Sequence, residues 1–409
     1  MHLVPISVDS IRIGSPLPFP LMDKDGVLLA KKDYVVESKQ DVADIAQRGG
    51  GLFIDVADSE AHHRAYVARL HGLVREEKSL GVIAGTKVSI NNGGERITID
   101  SERPDWLDLQ VQGHSLLHDS DASNFLERLE RLQAQLSHHL QKNPDGTLFA
   151  LAYLSATDKR MYSATHSMMV SVMCALAVRE VLHWPAAIET LASKVALTMN
   201  ISMTDMQDRL ATQVDPPSAD QRALIDVHAE RSAELLQAYG VSDAIWLQAV
   251  RDHHTQTPGP LKARNPAQRL ARLVQRADMF AAQLAPRGSR ASLASATAMQ
   301  ACYFDENKQV DEAGAALIRA VGIYQPGTFV RLATDEIAVV IKRGVNTTTP
   351  KVAVLINRSG MPTVEPTIRD TSLRDYRAVA SVAHRDVKVT LNLDKLLPLT
   401  QTPASERPW

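Results

Sequence analysis

Cysteine is nearly absent: the 409 residues hold only Cys174 and Cys302. Both lie in apolar helical patterns, which excludes a disulfide framework and fits reduced core thiols of a cytosolic protein. An excess of one charge is lacking too, with 45 Lys and Arg against 47 Asp and Glu and a net charge of −2. No global basic field draws this chain to nucleic acid or to a membrane surface, so any nucleotide must be held by a local cluster. No run approaches the roughly 18 uninterrupted apolar residues of a membrane span. The opening MHLVPISVDSIRIG has no basic stretch followed by an apolar one, so no signal peptide is expected. Repeats, a glycine-rich phosphate loop, G-x-S-x-G and C-x-x-C are all missing, which removes the usual nucleotide-fold and hydrolase signatures. A cytoplasmic location follows as the expectation.

What is present changes texture along the chain. The first fifty residues are short apolar runs broken by proline and glycine, and Asp25-Gly26 between two of them reads as a hairpin turn. Residues 59–80 carry an amphipathic helical pattern whose polar face includes His62 and His63, and alternating runs return at 83–112. Residues 1–115 therefore read as a small β-rich regulatory module. Residues 116–146 read as a linking helix, with Asp121 or Ser123 as its cap and NPDG as its stop. Leu126, Leu129, Leu132 and Leu136 form one stripe, suited either to pairing two chains as a homodimer or to packing on the chain's own domain. His138 and His139, like His62 and His63, read as solvated face residues. From 147 to 327 apolar residues recur at three- and four-residue spacing, which predicts about six or seven helices. From 328 to 400 the period falls to two in TFVRLATDEIAVVIKRG, PKVAVLINRSG and RDVKVTLNL, which predicts antiparallel strands. The fold class expected is mainly α: an all-helical domain with a small β-rich N-terminal module and a C-terminal β extension.

Five residues of the helical region are candidates for one site. They are His166 in YSATHSMMVSV, His228 in LIDVHAERSAELL, His253 and His254 in VRDHHT, and Asp278 in LVQRADMFAAQ. A buried imidazole costs free energy unless its ring nitrogens are paired or coordinated. One such histidine is ordinarily a satisfied core residue. Several in one helical domain, with an aspartate inside an apolar helix, point to a common centre. Imidazole suits Zn, Fe, Mn or Ni, and a carboxylate bridges two metals when hydrolysis is the task.

These segments, in this order, resemble HD-GYP domains, the helical metal-dependent phosphohydrolases that hydrolyse cyclic di-GMP. YSATHSMMVSV resembles the helix with the first metal histidine, at His166. LIDVHAERSAELL resembles the helix opening with the histidine that follows the His-Asp pair, at His228. VRDHHT resembles the family's His-His-Glu. RADMFAAQLAPRGSR resembles the aspartate helix and the arginines after it, and VGIYQPGTFVRLATDEIAVVIKRG resembles the closing Gly-x-Tyr-Pro-Pro-Gly-Thr stretch and its strand. The resemblance covers 147–345, about half the chain, and implies an HD-type helical domain. The first hundred residues resemble, more weakly, the β-rich module that precedes such domains in some bacterial proteins.

The departures from the family's pattern bear on function. Thr198 and Met199 stand where the His-Asp pair belongs, Ser202 where a lysine belongs, and Thr255 where the glutamate after the paired histidines belongs. Tyr162 stands where some members carry a further glutamate. TQTPGPLKARNPAQ runs in place of the Gly-Tyr-Pro loop. Methionine supplies no anionic bridging oxygen. The resemblance thus implies a residual metal set of His166, His228, His253, His254 and Asp278, and phosphate contacts from Arg287 and Arg290. The last three histidines, which share one metal in the family, suit one divalent ion (Fe, Mn or Zn) with an open position; otherwise they hydrogen-bond one another, water and Asp278. Two function classes stay open. One is a signalling protein that binds cyclic di-GMP or signalling proteins without efficient hydrolysis. The other is a one-metal phosphodiesterase with Asp278 as base.

Overall fold

The computed structural model describes residues 3–6, 11, 17, 20–31, 34–36, 52–55, 104–119, 122–256, 259–288 and 292–401. The chain divides into two compact units, Met1–Ser115 and Leu116–Trp409. It is mainly α, with a β-sheet near each end.

In the first unit, β1 (Leu3–Ile6), β2 (Leu21–Met22), β3 (Leu28–Ala30) and β4 (Leu52–Asp55) form an antiparallel sheet ordered β1-β4-β2-β3. The turn between β2 and β3 falls at Asp25-Gly26, as its sequence indicates. Gly26 takes a φ of 82°, a left-handed conformation that favours glycine, and the Asp23 carboxylate accepts the Asp25 and Val27 amides. His62, His63 and the amphipathic pattern at 59–80 lie outside the described residues.

The alternating reading of 83–112 fails at its end, where α1 spans Trp106–His118. LDLQVQ satisfies both periods, but Asp105 accepts the Asp108 amide at 3.1 Å and starts a helix. Its buried positions then recur every three or four residues, at Trp106, Leu109 and Gln110, Gln112, and Leu116 and Leu117. The leucine stripe lies on α2 (Phe125–Lys142), where Leu129, Leu132 and Leu136 are buried. A short turn at 122–124 puts Asn124, not Ser123, at the cap, and its side chain makes no capping bond. His139 is half-buried rather than solvated; burial and the charges of His138 and Lys142 push its pKa down to about 4.

Between Pro144 and Val321 the described residues form nine α-helices, more than the six or seven the spacing suggests. They are α3 (Pro144–Thr157), α4 (Tyr162–Leu176), α5 (Ala186–Thr198), α6 (Thr204–Thr212), α7 (Ala219–Ala238), α8 (Ala244–Asp252), α9 (Pro266–Leu284), α10 (Ser295–Tyr303) and α11 (Glu312–Val321). Side chains fix five of these starts. Asn143, ahead of Pro144, accepts the Gly146 amide. Ser218 and Asn265 each form a reciprocal capping box with the glutamine three residues on, and Asp243 and Asp311 cap α8 and α11. Every residue of α4 is buried, so it is the hub on which α3, α5, α6, α9 and α11 pack. Tyr162–Leu182 is the one stretch of the described residues long and apolar enough to cross a membrane, and 78% of its apolar window is buried inside the protein. Cys174 and Cys302 are buried free thiols, and burial raises both pKa values.

Beyond α11, β5 (Phe329–Leu332), β6 (Ile337–Lys342), β7 (Lys351–Ile356), β8 (Pro362–Asp370) and β9 (Ala378–Val382) form an antiparallel sheet ordered β8-β7-β6-β5-β9. Alternation sends Val339 and Ile341 to the face that packs on Phe149 of α3, and Ala338 and Val340 to the other. RDVKVTLNL is not a strand. Val387 and Leu391 pack on the α3 side of the sheet as an extended segment, followed by α12 (Leu393–Leu396). Period two there records burial rather than ladder pairing. β8 and β9 lie outside the alternating runs read from the sequence, and β9 pairs with β5. Gly327 has a φ of 90°, and a Cβ there would stand 2.5 Å from the Ala152 methyl, so only glycine lets the first strand pass α3 this closely. Asn143 also donates from Nδ2 to the Thr400 hydroxyl at 2.9 Å, tying the start of α3 to the end of the C-terminal extension.

Candidate metal centre

α8 ends where its paired histidines begin. His253 closes the helix with φ −66° and ψ −11°, and the Thr255 amide turns back to the Asp252 carbonyl at 2.8 Å. The next residue, His254, is exposed, while His253 is fully buried. α7 lies alongside and contributes buried His228. The carbonyl of Thr255, the residue after the pair, accepts from the Gln275 side-chain amide at 3.3 Å.

The ligand atoms of His228, His253 and His254 all lie within 4.8 Å of one another. His253 directs Nδ1 at the Val250 carbonyl at 2.6 Å, and His228 directs Nδ1 at the Ile225 carbonyl. A carbonyl only accepts, so both rings carry their proton on Nδ1. That leaves the two Nε2 lone pairs facing each other at 3.2 Å. Burial keeps both rings neutral: desolvation lowers His228, and desolvation with the His254 charge pushes His253 down to about 3. Two lone pairs at this distance call for a cation between them. Two imidazole nitrogens on one tetrahedral zinc, each about 2.05 Å from it, stand about 3.3 Å apart. Carbonyl-fixed Nδ1–H groups are also how ligating imidazoles are ordinarily oriented. The three histidines therefore fit a single divalent ion, with the exposed His254 side open to solvent.

His166 and Asp278 form a separate half. His166 Nε2 lies 2.7 Å from Asp278 Oδ1, joining α4 to α9. Burial pushes the Asp278 carboxyl up, but the His166 hydrogen bond, with the charges of His166 and His254, outweighs it and holds it below the usual carboxylate range. Asp278 thus feels the three-histidine group electrostatically, yet it is not one of the atoms that converge there. One turn before His166, Tyr162 stacks on the imidazole with ring centroids 5.3 Å apart and planes 13° from parallel. Arg287, just past α9, closes the stack: its carbon lies 4.9 Å from the Tyr162 ring centre, and it donates to the Tyr162 hydroxyl at 2.7 Å. Arg290 lies outside the described residues.

Thr198 and Met199 are both fully buried. The Thr198 hydroxyl donates to the Lys194 carbonyl at 2.8 Å and accepts from the Trp246 indole at 3.0 Å, so both its functions are used. Ser202 donates to the His228 carbonyl at 2.9 Å and accepts from Ser232, stitching α7 to the turn after α5. The Trp246–Thr198 and Ser202–Ser232 contacts are not legible in the sequence. The Tyr162–His166 stack was within reach, since residues four apart share a helix face.

No family model matches this sequence, and no curated protein matches it. Among solved structures, Bd1817, a HDG"Y"P protein from Bdellovibrio bacteriovorus, is similar, with 16% sequence identity and a TM-score of 0.44. The match covers 77% of this chain and 98% of that one.

Proposed function

We propose that this chain is a signalling protein of the HD-GYP type whose metal core is reduced to one three-imidazole site, and that it binds cyclic di-GMP or a signalling partner without efficient hydrolysis. The observation that carries the reading is the fate of the bridging half. A two-metal displacement needs an anionic oxygen shared between the ions. Here Thr198 spends its hydroxyl on Trp246 and the helix backbone, and Met199 offers a thioether. Asp278 is engaged by His166, and the Tyr162–Arg287 stack closes over that pair. The Arg287 guanidinium lies over the Tyr162 ring, on the far side of the stack from His166 and its carboxylate partner.

A divalent ion on His228, His253 and His254 would supply a Lewis acid beside an open position. The chain's own residues around it are poorly placed for hydrolysis. A general base works best with a pKa near the operating pH, and the Asp278 carboxyl is held well below that. Arg287 spends one Nη on tyrosine, so its part in phosphate recognition passes through the stack or needs it to open. Within this reading, residues 1–115 form the regulatory module, 116–146 the link, 147–327 the HD-type domain and 328–400 its β extension.

The test pairs turnover with binding. Protein purified without oxygen and supplied with iron or manganese is incubated with cyclic di-GMP, and linear product is measured beside equilibrium binding. Binding without product supports the receptor form. Folded protein that neither binds nor cleaves supports the partner-binding form. Product formation that tracks metal occupancy and disappears in His254→Ala overturns the proposal in favour of a one-metal phosphodiesterase.

A further inference from the structure

A second site lies apart from the histidines. A cavity of 1070 Å³ opens between the end of α4, the 261–269 segment, α10 and α11, and shares no lining residue with the histidine centre. It is at the upper end of small-molecule sites, about 300–1000 Å³. Leu182, Met299 and Ile318 give it aliphatic walls, and the Trp184 and Tyr303 rings also line it.

Its charge is one-sided. Lys262, Arg269 and Arg319 line it against the single carboxylate of Glu312. Glu312 accepts the Leu261 amide at 2.7 Å, which fixes the loop that carries Lys262. Arg269 is held by carbonyls only, those of Leu261 at 3.0 Å, Arg264 at 2.9 Å and Lys262 at 3.1 Å. Carbonyls orient a guanidinium without neutralising it. Among the described residues no carboxylate lies within ion-pair distance of any of the three cations, whereas the arginines behind the wall, Arg272 and Arg276, are paired with Glu306 and Asp311.

The backbone here is irregular as well. α4 ends in a widened π turn at Ala177–Leu182, and His183 then takes a left-handed conformation, φ 51° and ψ 38°. Such turns, and non-glycine residues in that region, concentrate at functional sites. The pair brings Val181, Leu182 and Trp184 to the cavity.

We propose that this cavity binds an amphipathic organic anion, a carboxylate or sulfonate on an apolar body of about ten or more carbons. The apolar walls take up the body and the uncompensated cations take up the charge.

The probe is 8-anilinonaphthalene-1-sulfonate, titrated against the full-length folded chain and displaced by decanoate, decanol or decylamine. Decanoate should displace it at least about tenfold better than decylamine, and Lys262→Ala/Arg319→Ala should abolish that preference while leaving decanol unchanged. Met299→Trp, which fills the cavity, should weaken all three. Absence of probe binding, equal displacement by amine and acid, or a preference that survives the double variant would each overturn the proposal. The two cations of the double variant lie on the exposed surface, so the test stands even where Met299→Trp fails to fold. None of these outcomes depends on the reading of the histidine centre.

Discussion

Adding a divalent cation should stabilise this protein, by an amount set by the ion's concentration relative to its dissociation constant. In chelator, two neutral buried imidazoles confront their lone pairs at 3.2 Å, an arrangement favourable only with a cation between them. The unfolded chain has no such convergence, so an ion binds the folded state selectively. At a hundred times the dissociation constant that adds about 2.7 kcal/mol. For a unit as large as Leu116–Trp409 this corresponds to a rise in Tm of about 5 °C. Calorimetry at pH 7.5 with zinc or manganese against EDTA reads the shift directly. His228→Gln should abolish it while costing little in EDTA, because replacing the ring relieves the confrontation. A native protein indifferent to every divalent ion tested, or an equal shift in His228→Gln, would refute the reasoning.

Arg272→Met strips the buried ion cluster that ties α9 to Glu306 and to Asp311, the cap of α11, and should cost about 3–5 kcal/mol in urea unfolding at pH 7; an unchanged midpoint would count against it. The Glu306 carboxyl is held down to about 2, from 4.5, chiefly by the Arg272 hydrogen bond. Its contribution is complete above pH 4.5 and disappears as pH falls towards 2, so the stability gap between native protein and Glu306→Gln should close across that window. A gap independent of pH would show that the pair contributes packing rather than charge. Gly314→Ala would set a Cβ 2.0 Å from the Cys302 carbonyl, forcing α11 off α10, and should lower Tm by more than the few degrees typical of a surface change. A Tm equal to that of the native protein would mean the two helices separate freely.

Much of the fold is legible in the sequence because one dominant period governs each stretch. The helical domain follows from three- and four-residue spacing, and β5 to β7 from alternation. Errors fall where one pattern satisfies two structures. LDLQVQ fits strand and helix alike until Asp105 caps it. VKVTL alternates because its valines and leucine are buried, although nothing pairs with it. At the site, the sequence supplies the histidines and Asp278 but not their division into two groups. That division depends on which ring nitrogen reaches which carbonyl, and on Arg287 folding back 125 residues to Tyr162, and neither leaves a periodic trace.

The bond from Asn143 to Thr400 has a consequence in time. It joins partners 257 residues apart, and that side chain also caps the helix against which the C-terminal sheet is built. A ribosome adding about 5–20 residues per second needs roughly 13–50 s to travel between them. Until β5, β6 and β7 are made, late in that interval, the outer face of α3, with Phe149, has no sheet to cover it. A nascent chain of this protein therefore carries an unfinished apolar surface for about ten seconds or more, and its yield in a cell should respond to whatever shields that face until the sheet arrives.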